Sequence, residues 1–319
     1  MRRSLALVMT FVVLVPAALW SQTGGARSWE GHLRIGGRGR SYLVDLPPQY
    51  DGRHPLPLVL MFHGGGGDAA GARRQTGLSE VARGAGFIAV YPNGTGRFRG
   101  RLLTWNAWSC CGYAQAQRVD EVAFVRALLD TLQRTLRIDP ARVYATGMSN
   151  GGMMAYAAGC ALADRFAAIA PVSGELTVPV CRPPRPVSVL AIHGTADDHI
   201  PFNGGVGSKA LARHDARSVA YAIDTWRRLD GCSAAPAAAR SGTVVRTSYG
   251  PCARGTTVEL IAIQGGPHAW PGGERMARFL DRPSDALDAS RVIWDFFAAH
   301  PRSQAPSSER QDLTRRERR

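Results

Sequence analysis

The stretch Arg142-Val143-Tyr144-Ala145-Thr146-Gly147-Met148-Ser149-Asn150-Gly151-Gly152 decides the fold. Arg142–Thr146 reads as a buried strand, and Asn150–Ala161 suits a helix. Between them lies a G-x-S-x-G pattern in the strand–turn–helix setting that gives such a pattern meaning. A serine on so tight a turn has its hydroxyl pushed out beyond the end of the sheet. Gly147 and Gly151 approach it from either side, where a Cβ would clash, and Gly152 gives further room. Five letters can match by chance in a chain with 36 glycines. The position between a strand and a helix gives this match its weight.

Outward from that turn, strands and helices alternate. Ser41–Leu46 alternates like a strand, and Leu56–Phe62 is a continuous apolar run of the kind expected for a strand buried on both faces. A helix is expected over Ala72–Arg83. Ile88–Tyr91 is a strand closed by Pro92, Asn93 and Gly94. Asp120–Leu136 is the clearest helix, with Val122, Val125, Leu129, Leu132 and Leu136 on one face. Phe166–Val172, Val187–Ile192, Thr243–Ser248 and Thr257–Ile263 follow as strands, and Arg217–Leu229 and Ala289–Ala299 as helices. This alternation predicts an α/β fold with a mainly parallel central sheet and helices on both faces.

The chain has 319 residues, 45% of them hydrophobic, and a net charge of +14. Lys209 is the only lysine, so arginine supplies the excess. The arginines are scattered; only Arg315, Arg316, Arg318 and Arg319 cluster, and no nucleic-acid-binding motif occurs. Nucleic acid is therefore not an expected partner. At the N-terminus, Arg2 and Arg3 precede the apolar run Leu5–Trp20, which Pro16 breaks and which is short of the about 20 residues a membrane span needs. Residues 1–21 are read as a signal peptide, an uncleaved anchor being the other reading. A secreted protein without membrane association is the expectation. Residues 22–39 are read as a flexible lead-in, 40–300 as one catalytic domain and 301–319 as a disordered basic tail.

An even set of cysteines behind an export signal argues for disulfides. Cys232 and Cys252 flank one short excursion and are expected to pair. The other four, Cys110, Cys111, Cys160 and Cys181, would supply two more bridges, with adjacent Cys110 and Cys111 each bonding elsewhere. No Cys-x-x-Cys or His-x-x-x-His spacing suggests a metal.

A serine hydroxyl needs a base to take its proton. His268 follows the strand Thr257–Ile263 directly, and loops leaving strand ends build α/β sites. His199 is the weaker candidate base, while His214 and His300 read as surface residues. The acid should follow Val187–Ile192, where both Asp197 and Asp198 are available. An oxyanion needs two backbone donors. One would be Asn150 N–H, next to the serine. The other would come from the glycine run after His63, with Gly65 preferred and Gly64 or Gly66 possible. No Gly-Lys-Ser/Thr follows that run, so it is not a phosphate-binding loop. Trp105, Trp108 and Trp270 are read as an aromatic wall for substrate, with Trp270, two residues past His268, preferred and core packing the alternative for Trp105 and Trp108.

Seven segments, in order, resemble the secreted polyhydroxybutyrate depolymerase and feruloyl esterase group of α/β-hydrolases. They are the glycines after His63, Tyr91-Pro92-Asn93-Gly94, Cys110-Cys111-Gly112, Val119-Asp120-Glu121-Val122, Gly147-Met148-Ser149-Asn150-Gly151-Gly152, His193-Gly194-Thr195-Ala196-Asp197, and His268-Ala269-Trp270-Pro271-Gly272. Pro267 and Ala269, around the histidine, depart from the glycine and threonine expected there. The resemblance implies an α/β-hydrolase fold and a triad of Ser149, Asp197 and His268, choosing Asp197 over Asp198. It implies hydrolysis of hydroxyalkanoate or hydroxycinnamoyl esters without a cofactor. An acyltransferase of the cell envelope and a non-catalytic polymer- or carbohydrate-binding protein are the alternatives.

Overall fold

Strand β3 (Leu56–Phe62) shows why the sheet is buried on both sides. Leu58, Leu60 and Phe62 enter one hydrophobic cluster, while Val59 and Met61 enter the other. Successive side chains of a strand point to opposite faces, so an all-apolar strand requires cover on each. The computed structural model describes residues 27–98, 100–210, 214–232 and 235–303. The expected signal peptide and the run Arg315–Arg319 lie outside them.

Ten strands form one sheet: β1 (Arg27–Ile35), β2 (Arg38–Leu46), β3, β4 (Ile88–Pro92), β5 (Ile138–Met148), β6 (Ala168–Val172), β7 (Ser188–Gly194), β8 (Ala237–Ser241), β9 (Val244–Tyr249) and β10 (Val258–Ile263). Their spatial order is β1-β2-β4-β3-β5-β6-β7-β10-β9-β8. The six from β4 to β10 run parallel, and an antiparallel pair closes each edge. Helices α4 (Glu121–Thr135), α5 (Asn150–Ala161) and α6 (Val219–Leu229) cover one face with Phe124, Leu128, Met154, Tyr156 and Trp226. Helices α1 (Ala69–Thr76), α2 (Leu78–Ala85) and α7 (Ala289–Ala299) cover the other with Ala72, Val81, Ile293 and Phe297. A short helix α3 (Gly112–Ala116) lies in the β4–α4 connection. The expected α/β architecture, mainly parallel with helices on both faces, is the one observed.

Several details differ from the sequence reading. Much of the expected flexible lead-in is a hairpin: β1 pairs with β2 from Arg27↔Leu46 to Ile35↔Arg38. Its turn is Gly36-Gly37, with φ of 55° and 77°, the conformation a tight hairpin needs and glycine tolerates. The single helix expected over Ala72–Arg83 is two, α1 and α2, broken at Gly77, whose φ is 60°. Strand β8 and helix α3 are additional. In the expected tail, Arg302 is docked: its N–H reaches Ala141 O at 2.8 Å and its guanidinium bonds the Pro140 and Asp164 carbonyls.

Cys232 pairs with Cys252 as expected, and Cys160 with Cys181. Cys110 and Cys111 do not bond elsewhere, as the sequence reading had them; they pair with each other. The other two bridges consume the remaining partners, and Cys110 is packed against Ala107, Met153, Ile200 and Ala216. No described helix is long and apolar enough to cross a membrane.

Candidate active site

Every residue of the expected triad sits where a parallel strand ends: Ser149 after β5, Asp197 three residues past β7, and His268 five past β10. These strands share one sheet and one direction, so their C-terminal ends form a single rim. The links between them are tight. Ser149 N–H donates to Val172 O at 2.9 Å, Ser173 N–H to Ile192 O at 2.9 Å, and Ala196 N–H to Gly266 O at 3.0 Å.

The turn at Ser149 has the strained backbone the sequence suggested, with φ 58° and ψ −123°. A non-glycine residue there is held by its surroundings. A Cβ on Gly147 would meet the Gly151 carbonyl, and a Cβ on Gly151 would meet the Phe62 and His63 carbonyls. Strand β3, strand β5 and the start of α5 thus touch backbone to backbone. Ser149 is the N-cap of α5, yet its side chain makes no capping bond. Ser218, the N-cap of α6, does cap, accepting from Tyr221 N–H at 3.1 Å. Among the described residues the Ser149 hydroxyl has no hydrogen-bond partner.

Asp197 and His268 are brought together. His268 Nδ1 donates to Asp197 Oδ2 at 2.8 Å. The other carboxylate oxygen, Oδ1, accepts from the backbone N–H groups of His199 at 3.0 Å and Ile200 at 2.8 Å. His193 Nε2 lies 3.2 Å from Oδ2. Asp197 is only 4% exposed. Burial alone would raise its pKa, but the hydrogen bonds from His193 and His268 and the charges of both rings outweigh it and hold the carboxyl well below its ordinary value. The adjacent Asp198 instead pairs with Lys209 Nζ at 2.9 Å.

His199, the weaker candidate base, stacks on the His268 ring with centroids 4.6 Å apart. Its Nε2 lies 3.6 Å from Asp281 and 3.9 Å from Asp198. Burial and the neighbouring His268 lower its pKa against the pull of these carboxylates. Asp198, His199 and Asp281 converge closely enough to hold a cation. Lys209, 2.9 and 3.3 Å from the two carboxylates, already supplies a positive charge there. His214 and His300, read as surface residues, bond Glu175 Oε2 at 2.6 Å and Phe296 O at 2.7 Å.

The glycine loop after β3 lies against Ser149 and Asn150. A Cβ built on Gly64 would stand 3.7 Å from Ser149 Cβ, and one on Gly65 3.6 Å from Asn150 Cβ. Gly66 N–H is taken by Leu103 O at 2.8 Å and Gly67 N–H by Gly64 O at 3.1 Å. Among the described residues Gly65 N–H has no such partner. Asn150 opens α5, so its N–H has no acceptor within the helix. His63 anchors the loop, donating from Nδ1 to Gly64 O at 2.7 Å and accepting Gly94 N–H at Nε2 at 3.0 Å. Complete burial, opposed by the Gly64 bond, pushes its pKa down to about 4, so it keeps this one-donor, one-acceptor form at neutral pH.

Two of the three tryptophans read as a substrate wall, Trp105 and Trp270, are a correction. Both are fully buried. Trp270 donates to Ser290 Oγ at 3.1 Å beneath α7. Trp105 donates to His63 O at 2.9 Å, and its backbone is clasped by the Asn150 side chain, with Trp105 N–H to Oδ1 at 2.7 Å and Nδ2 to Trp105 O at 3.0 Å. Trp105 therefore braces the glycine loop against the start of α5. Trp108 is the exposed member of the three, 41% accessible. The functional contacts missed in the sequence were those of His193 and His199. His193 stood in the quoted segment ending at Asp197 and His199 was the weaker candidate base, but only the fold shows which ring meets Asp197 and which meets His268.

A mainly parallel sheet with a strained serine between strand and helix, and an aspartate–histidine pair on later loops, defines an α/β-hydrolase. The comparisons agree. Residues 40–180 match the family described as esterase PHB depolymerase. A protein of Nocardia uniformis subsp. tsuyamanensis that carries the name esterase NocK is 35% identical over 75% of this chain and 73% of its own. Feruloyl esterase C of Emericella nidulans is 32% identical over 82% of this chain and 84% of its own. The solved acetyl xylan esterase from Aspergillus awamori shares the fold with a TM-score of 0.55 and 14% identity, over 76% of this chain and 94% of that one. The chain belongs to the esterase PHB depolymerase family, a family of carboxylic ester hydrolases.

Proposed function

We propose that the protein is a secreted serine esterase that cleaves hydroxyalkanoate or feruloyl-type esters through an acyl-enzyme. The Asp197–His268 hydrogen bond, on the rim that also carries the strained Ser149, is the observation that supports this most. Three disulfides suit an oxidising compartment, and the likeness to a named feruloyl esterase points to the substrate class.

In this reading His268 accepts the Ser149 proton as Oγ attacks the ester carbonyl. Asp197 fixes the ring with Nδ1 protonated, so Nε2 is the basic nitrogen, and it stabilises the imidazolium that forms. The N–H groups of Gly65 and Asn150 receive the oxyanion, each contributing about 3 kcal/mol in comparable sites. The alcohol leaves with the proton from His268, and water then hydrolyses the acyl-enzyme by the same steps reversed. Contact between Ser149 and His268 closes when substrate is bound, since catalytic hydrogen bonds often tighten only then.

Ser149→Ala, with unchanged folding by circular dichroism, is expected to lose at least about 10⁴-fold in kcat on p-nitrophenyl butyrate. Undiminished turnover would refute the reading. Methyl ferulate, short hydroxybutyrate oligomers and acetylated xylan, tested side by side, separate the substrate classes.

A further inference from the structure

Building on that reading, we propose that His193 is a positioning residue for the reaction, a second imidazole that holds the acid while His268 does the proton transfer. It is the penultimate residue of β7 and is 2% exposed. Its Nε2 faces two oxygens, Asp197 Oδ2 at 3.2 Å and Ile200 O at 2.9 Å. Neither can donate, so Nε2 carries the proton and shares it between them. The ring is set edge-on to Phe202, with centroids 5.9 Å apart and planes at 80°.

One donor therefore does two things. Through Ile200 O it closes the turn whose own N–H groups, at His199 and Ile200, bind Asp197 Oδ1. Through Asp197 Oδ2 it shares the oxygen that receives His268 Nδ1. The carboxylate is fixed at both oxygens, leaving only the direction that aims Oδ2 at His268. The second donor also withdraws charge from that oxygen, and so moderates how strongly Asp197 favours a protonated His268. Other groups act on His268 from the same loops: His199 is stacked on it, and Asp198, Asp281 and Lys209 act through His199. All of these stay in place when only residue 193 is changed.

The test compares His193→Phe, which keeps the ring against Phe202 and removes the donor, with His193→Gln, whose side-chain amide can restore an N–H near the Nε2 position. For His193→Phe, kcat on p-nitrophenyl butyrate should fall about ten- to a hundredfold, the size of a lost hydrogen bond to a charged group. KM should stay within about twofold, because no substrate contact is removed. The acidic limb of kcat/KM should move to higher pH, since an Asp197 with one donor fewer stabilises the imidazolium more. His193→Gln should recover most of kcat and the native limb.

A Phe variant with native kcat and an unmoved or lowered limb would overturn the proposal. So would a Gln variant no better than Phe. If the Phe variant does not fold, nitrogen-15 spectra of histidine-labelled wild-type protein decide: His193 protonated at Nε2 supports the role, and protonation at Nδ1 alone overturns it. Failure of the esterase reading would show separately, as full activity in Ser149→Ala.

Discussion

Asp197 and Asp230 are both aspartates that folding removes from water, at 4% and 0% exposure, yet they are driven in opposite directions. Asp197 collects two backbone N–H groups and two imidazoles, and is held ionised far below its ordinary pKa. Asp230, at the end of α6, receives Val187 N–H at 3.2 Å on Oδ1, while Oδ2 has no partner among the described residues. Burial therefore dominates there, opposed by Val187 and Thr256, and its pKa rises to about 7. Desolvation penalises both charges; the number and kind of donors decide which survives. Asp197 stands beside His268, and Asp230 lies near the Cys232–Cys252 bridge, where Ala253 N–H donates to its carbonyl at 2.8 Å.

The largest effect separating the two should be on turnover. Asp197→Asn is expected to lower kcat by about 10⁴-fold, because the amide favours the wrong imidazole tautomer, the outcome known for serine triads. Asp230→Asn should leave kcat within about twofold, since Asp230 touches no triad residue. Equal losses in the two variants would break the contrast.

A third buried carboxylate sharpens it. Glu121 is paired with Arg40 at 2.7 Å, and both side chains are buried. Burial raises the Glu121 pKa, and the Arg40 charge and hydrogen bond oppose the rise. Arg40 lies over the Phe124 ring at 3.7 Å and donates to Asn93 O at 3.0 Å. Glu121→Ala strands the guanidinium and should cost about 3–5 kcal/mol in urea unfolding, with kcat of the folded fraction unchanged.

The smallest effect is in the pH dependence of stability. Asp230 has a folded value near 7 against an ordinary 3.8, so the native chain holds a proton that the unfolded chain releases. Its contribution is fully present below about pH 4 and is lost as the pH rises through about 7. Asp197 has the reverse sign: its contribution is present above about pH 4 and is lost as the pH falls towards its depressed folded value. Melting temperatures from pH 4 to 8 should therefore fall less in Asp230→Asn than in wild type. Parallel curves would show that Asp230 does not titrate in this range.

Some of this was legible in the chain because the signal was local. The run Leu56–Phe62 needs cover on both faces wherever it lies, and the glycines around Ser149 sit within three residues of the strain they permit. The β1–β2 hairpin was missed, residues 22–39 being read as a lead-in, although the alternation of Trp29, Gly31, Leu33 and Ile35 and the pair Gly36-Gly37 carry its signal. The tryptophans misled because neither aromatic character nor, for Trp270, nearness in sequence to His268 tells which way an indole points. Trp270 turns under α7 and Trp105 turns under the loop it braces.

The sequence by itself determined the parallel α/β architecture, the strained serine turn and the candidate base, since each follows from periodicity or from sterics over a few residues. Only the tertiary structure decided that two imidazoles share the Asp197 carboxylate, that His199 stacks on His268, that Cys110 pairs with its neighbour, and that folding lowers the pKa of one buried aspartate and raises that of another. The opposite fates of the two aspartates depend on how many donors meet at one point in space. Such a count is made by loops from separate strands converging on one rim, and no spacing along the chain records it.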